Sequence, residues 1–229
     1  MRTSVATAFA TAAGVSLGGA DATAQAATPP KPQNVISPDE AVKRLVDGNK
    51  RYVTGVTRRH DFAHEREALN SGQNPYAAIL SCADSRIAPE YAFDSARGDL
   101  FVTRVAGNFV NDDVLGSLEY AIAVLKAPLI MVLGHEGCGA VDAAVKVATQ
   151  GATYPGMIQS LVAALVPSVD KVKGKAKNLV EAATEQNVRD SMVALSERSA
   201  IVHDAMGAGK LRIVGGIYRL ATGKVDFLA

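Results

Sequence analysis

The chain has 229 residues, 48% hydrophobic and 21% charged, with a formal net charge of +1 at pH 7. That composition is ordinary for a soluble protein with one sizeable core, and the near-neutral charge leaves no strong field to draw in nucleic acid or an acidic membrane surface. The lack of tryptophan and the low aromatic content (5%) argue against a base-stacking platform, and no apolar run approaches the roughly 20 residues that span a bilayer.

The first residues differ from the rest. Arg2 gives a short basic start, a mildly apolar Ala/Val/Phe/Leu segment follows, and Ala24-Gln25-Ala26 forms a small-x-small pattern before Pro29, Pro30 and Pro32. This order of parts reads as a signal peptide over 1–26 cut after Ala26, then a disordered Pro-rich leader over 27–36; a low-complexity tail is the plainer alternative. The reading predicts a periplasmic or secreted protein, and without twin arginines the general secretion route is expected. In such a compartment two cysteines pair by default as a disulfide, so Cys82 and Cys138 need an argument for anything else.

Residues 37–229 read as a single domain. Ser37, Pro38 and Glu40 form a capping box that opens a helix to about Tyr52. The polar, Arg- and His-rich stretch from Gly55 to Asn74 holds a short helix around "HEREALN". "YAAILSC" is short and continuously apolar, which predicts a buried strand, and "DLFVTRVA" predicts a second one closed by Gly107-Asn108. "NDDVLGSLEYAIAVLKA" predicts an amphipathic helix with acidic residues in its first turn, and "LIMVLGH" a third strand. Further helices are expected from Cys138 to about Thr149, near "MIQSLVAALV", and as one long helix from Leu179 to Met206. "LRIVGGIYRL" and "KVDFL" predict a closing hairpin of strands, with Gly215-Gly216 marking a bulge or a close backbone approach. The fold class expected is α/β: a mostly parallel central sheet flanked by helices, with an antiparallel C-terminal strand.

In such a sheet, chemistry collects at the carboxyl ends of the strands. Cys82 ends one strand, His135 ends another, and Cys138 follows in the turn that opens the next helix. If the two strands are close, these side chains converge as two thiolates and one imidazole, preferred zinc ligands that leave a fourth position open as catalytic sites do. Asp84 and Arg86 alternate with Cys82 and can lean to its side; an aspartate gripped by an arginine stays ionised and oriented. Taken singly, each has a bland reading: a disulfide, a strand-end histidine, a surface ion pair. Their joint occurrence at these spacings favours a metal site. His60 and His64 are four apart and offer a weaker second pair, set among Arg58, Arg59 and Arg66 in what reads as a solvated basic surface; His203 reads as a surface or packing residue. No phosphate-binding glycine loop or Gly-x-Ser-x-Gly elbow is present.

"CADSR" followed by "GHEGCGAV" resembles the β-class carbonic anhydrases, and the likeness runs from about Ser37 to the C-terminus through "RVAGNFV", "LGSLEYA" and "TGKVDFL". The resemblance implies one Zn2+ per chain on Cys82, His135 and Cys138, with Asp84 and Arg86 as a catalytic dyad. It implies reversible hydration of carbon dioxide to bicarbonate and a proton by attack of zinc-bound hydroxide, in a homodimer or tetramer with active sites near the subunit interface. It further implies substrate contacts from Gln73, Phe101, Tyr120 and the backbone of Gly139. Two thiolates offset the charge of the ion, so activity is expected to need a somewhat alkaline pH. Two rivals stay open: the same scaffold acting on carbonyl sulfide or carbon disulfide, and a catalytically silent zinc-binding or thiol-redox protein.

Overall fold

A computed structural model describes residues 35–228. The signal peptide expected over 1–26 lies outside the described residues, as does the leader over 27–36 apart from Val35 and Ile36.

Helix α1 (Pro38–Val53) starts as the capping box predicts, Ser37 Oγ accepting the N–H of Glu40 at 3.2 Å. After α2 (Phe62–Leu69) come β1 (Ala77–Ser81), the short α3 (Pro89–Ala92) and β2 (Leu100–Arg104). Helix α4 (Asp112–Ala123), β3 (Leu129–His135) and α5 (Gly139–Gln150) follow, then α6 (Ile158–Ala163) and α7 (Val166–Val172). The chain closes with α8 (Leu179–Arg198), α9 (Ala200–Gly207), β4 (Arg212–Tyr218) and β5 (Val225–Leu228). The helix expected over 179–206 is therefore two: Ser199 is extended (ψ 112°), its hydroxyl accepts the N–H of Val202 and donates to Glu119, and α9 restarts from that cap. The region expected to hold one helix near 157–166 also divides, with Pro167 seated in the first turn of α7, where its missing N–H costs nothing.

The strands lie in the order β2-β1-β3-β4-β5. The first four are mutually parallel and β5 runs antiparallel to β4, as the sequence predicts. β1 and β3 are buried along their whole length, which explains their unbroken apolar character. Alternate residues feed opposite faces: Ala78, Leu80, Ile130 and Val132 pack with Leu118 of α4 and Val188 of α8, while Ala77, Ile79, Leu129 and Met131 pack with Leu45 of α1 and Phe93. Gly215 and Gly216 mark a close approach, since a Cβ on Gly215 would lie 2.7 Å from Met192 Sδ and 2.8 Å from Val188 Cγ1. A third apolar cluster forms beyond the carboxyl edge of the sheet, where Val141, Ala144, Val162, Leu165, Val169 and Ala183 enclose Cys82 and Cys138. Among the described residues no helix is long and apolar enough to cross a membrane.

Candidate metal centre

From β1 the chain passes to β2 on one side of the sheet, while β3 lies on the other side, so the carboxyl ends of β1 and β3 form the topological switch point of this strand order. Parallel register sets Ser81 beside Leu133, which brings Cys82, one residue past β1, level with the end of β3. His135 is the last residue of β3. The Glu136-Gly137 turn, with Gly137 at φ 62°, then returns the chain so that Cys138 becomes the N-cap of α5. The Sγ atoms of Cys82 and Cys138 and a ring nitrogen of His135 all lie within 4.8 Å of one another, and all three residues are buried.

The donor set fits zinc on three grounds. Both cysteines are free thiols with their sulfurs 3.9 Å apart; two sulfurs bound at about 2.3 Å to one tetrahedral ion stand about 3.8 Å apart. His135 Nδ1 lies 2.9 Å from the carbonyl oxygen of Glu136, which holds the proton on Nδ1. Nε2 is left buried with no hydrogen-bond partner among the described residues, a cost a fold accepts where something else takes the lone pair. Finally, Cys82 is poised as a thiolate. The S–H of Cys138 beside it lowers its pKa most; burial opposes this, and the N–H groups of Gly107 and Asp84 lower it further. Cys138 is pushed the other way by hydrogen bonding to Cys82 and by burial, so the pair shares one proton until a cation replaces it.

Asp84 and Arg86 sit over this cluster. Arg86 Nε donates to Asp84 Oδ1 at 2.9 Å and Nη2 donates to Oδ2 at 2.7 Å, a bidentate grip, while the Arg86 backbone N–H adds a bond to Oδ1 at 2.9 Å. This grip holds the Asp84 carboxyl well below the usual carboxylate range. Asp84 Oδ2 stands 3.8 Å from His135 Nε2, so the carboxylate borders the space that the three donors face. Arg86 Nη2 also reaches the Gly137 carbonyl at 3.3 Å, tying the loop after β1 to the turn after β3.

The other site residues lie apart within one chain, except Gly139. It follows Cys138 directly as the first residue of α5, so its N–H has no intrahelical partner. Phe101 pairs in register with Ala78, about 13 Å down the strand from Cys82 at about 3.3 Å per residue, and its ring stacks tilted on Tyr120 at 6.2 Å between centroids. Gln73 is exposed in the turn before β1, beside Leu69, Asn70, Ser71, Gly72 and Gly98 at the amino end of the sheet. His60 and His64 do not share a helix face, because α2 starts only at Phe62; His60 Nδ1 lies 3.3 Å from Glu65 Oε1 instead. His203 is exposed on α9. Sequence reasoning missed two supports of the site. The Gly107 N–H donates to Cys82 Sγ at 3.3 Å, and the Arg104 side chain bonds the loop that carries Cys82 and Asp84.

Sheet order and cluster together define an α/β protein with a metal-competent, carboxylate-flanked pocket at its switch point. The carbonic anhydrase family profile matches residues 77–225. The carbonic anhydrase of Mycolicibacterium smegmatis is 39% identical over 191 residues, covering 83% of this chain and 93% of that protein. Carbonic anhydrase 2 of Mycobacterium tuberculosis is 39% identical over 189 residues, covering 82% and 91%. Among solved structures, the β-carbonic anhydrase CcaA superposes with a TM-score of 0.65 at 27% identity, covering 83% of this chain and 92% of that one. Two tetrameric β-carbonic anhydrases from Sordaria macrospora share the fold, with a TM-score of 0.65 at 21% identity. This chain belongs to the β-class carbonic anhydrases.

Proposed function

We propose that this protein hydrates carbon dioxide reversibly to bicarbonate and a proton, with one zinc ion held by Cys82, His135 and Cys138. The observation that carries the reading is the convergence of two sulfurs and an orphaned imidazole nitrogen within 4.8 Å at the switch point. Zinc bound there supplies a Lewis acid that brings the pKa of a water molecule towards neutrality.

The chain's own groups do the rest. Cys82 and Cys138 as thiolates offset the charge of the ion, which keeps the acidifying effect modest and sets activity on the alkaline side. Asp84, ionised and fixed by Arg86, is a hydrogen-bond acceptor at the mouth of the pocket. The free N–H of Gly139 at the start of α5 is a donor for a bicarbonate oxygen, favoured by the helix dipole. The apolar wall around Cys82 and Cys138 suits an uncharged, nonpolar substrate.

Gln73, Phe101 and Tyr120 are proposed as substrate contacts across a homodimer, in which each chain lends them to its partner's pocket. Phe101 lies on β2, which is an edge strand, and Tyr120 is exposed. Tetramers among structures of the same fold are consistent with assembly from such dimers. The export leader read in residues 1–26 supports a periplasmic or secreted site of action.

Stopped-flow carbon dioxide hydration on the purified protein, with zinc content measured in parallel, tests the reading. Cys138→Ser is expected to lose both the metal and the activity; undiminished hydration in that variant would remove the site.

A further inference from the structure

The ladder between β1 and β2 ends at the pair Ser81 and Arg104, and the Val105 N–H makes the last strand-like bond, to the Ser81 carbonyl at 3.1 Å. Beyond that point the chain runs on as Cys82-Ala83-Asp84, outside the paired strand. Here the Arg104 side chain takes over: Nε donates to the Cys82 carbonyl at 2.9 Å and Nη2 donates to the Asp84 carbonyl at 2.7 Å. One planar guanidinium thus holds two carbonyls two residues apart, just where the strand ladder stops, and the Ile87 N–H adds a 3.2 Å bond to the Asp84 carbonyl.

We infer that Arg104 is a positioning residue, which fixes the backbone of Cys82 and Asp84 so that the sulfur and the carboxylate meet the pocket in a set relation. The inference rests on the reading of Cys82, His135 and Cys138 as the zinc site. Two features separate Arg104 from an ordinary surface arginine. Among the described residues it has no carboxylate partner; both of its hydrogen bonds go to backbone carbonyls of site residues. The segment it begins also supports Cys82 a second time, through the Gly107 N–H to Sγ, and is itself anchored from α8, where Asn187 Nδ2 donates to the Gly107 carbonyl at 2.7 Å. Arg86 and Arg104 therefore divide the loop between them. Arg86 grips the Asp84 side chain and the Gly137 carbonyl; Arg104 grips the main chain on the other flank.

Lysine at 104 offers a point donor in place of a fork, so it can serve the two carbonyls only in part. The test compares full-length wild type, Arg104→Gln and Arg104→Lys in three readouts: zinc affinity by competition with a chromophoric chelator, thermal midpoint, and kcat and KM for carbon dioxide hydration. Arg104→Gln is expected to keep the thermal midpoint of its metal-free form within a few degrees and its KM, to bind zinc about 10–100-fold more weakly, and to lose kcat. Arg104→Lys is expected to fall between it and wild type. Wild-type zinc affinity and kcat in Arg104→Gln would overturn the positioning role, as would an equal loss of midpoint in both variants with zinc affinity unchanged. If Arg104→Gln does not fold, Arg104→Lys carries the test by the same criteria. A wild type that binds no zinc sinks the site assignment; a wild type that binds one zinc beside an equally tight Arg104→Gln sinks only the role of Arg104.

Discussion

Asp84 receives three hydrogen bonds from Arg86, two from the guanidinium and one from the backbone, the shortest at 2.7 Å. Two consequences can be separated, ionisation and orientation. The guanidinium lowers the carboxyl pKa, so Asp84 is already anionic far below neutrality and contributes no acid limb to activity between pH 5 and pH 9. Removing the partner lets that pKa rise only towards about 3.9, still well under neutral pH. Arg86→Gln should therefore lose about 10–100-fold in kcat/KM at pH 7.5 through lost orientation, and raising the pH should not restore it. A pH–rate profile in which Arg86→Gln regains full activity at high pH would contradict this. The pairing of Asp84 with Arg86 was legible from their spacing, though the extended alternation expected there is a turn: the Ile87 N–H bonds the Asp84 carbonyl and the Arg86 N–H bonds Asp84 Oδ1. Gly107 and Arg104 were not, since their contacts with Cys82 arise where one strand ends beside another, and no local pattern in "TRVAGN" encodes that.

Helix α1 meets the end of α3 through a contact that sequence rules misjudge. Gly48 lies mid-helix, where host–guest propensities favour alanine by about 1 kcal/mol. Here a Cβ would stand 1.9 Å from the carbonyl oxygen of Phe93, a backbone atom that cannot swing aside. Gly48→Ala should therefore destabilise, by about 3 kcal/mol at the upper end of ordinary overpacking, seen as a lower urea midpoint with an unchanged slope. A variant more stable than wild type would show that α1 does not lie so close. The same distinction between local and tertiary causes governs the helix ends. Ser37, Pro38 and Glu40 announce the start of α1 because a capping box is a local device. The break between α8 and α9 was invisible because the buried Ser199 leaves the helix for a bond to half-buried Glu119, 80 residues away. Pro167 did carry a readable signal for the start of α7.

At the scale of the molecule, the site is where three parts meet: the carboxyl ends of β1 and β3, the N-terminus of α5, and the apolar cluster built by α5, α6, α7 and α8. The parallel sheet was legible from buried apolar runs alternating with amphipathic helices, whereas strand order depends on crossovers that periodicity does not encode. Because two of the proposed ligands, Cys82 and Cys138, belong to that third cluster, metal binding is expected to stabilise the fold. At a free zinc level about 1,000 times its Kd the stabilisation is about 4.1 kcal/mol, so a strong chelator should lower Tm by about 8–16 °C. An unmoved Tm would break that coupling. The most direct measurement is zinc K-edge X-ray absorption on the purified full-length protein. Ligation by Cys82, His135 and Cys138 predicts one zinc per chain with two sulfurs at about 2.3 Å and an imidazole nitrogen at about 2.0–2.1 Å, and a single sulfur in any metal retained by Cys138→Ser. A zinc shell without sulfur, or a Cys82–Cys138 disulfide in a metal-free protein, would contradict it.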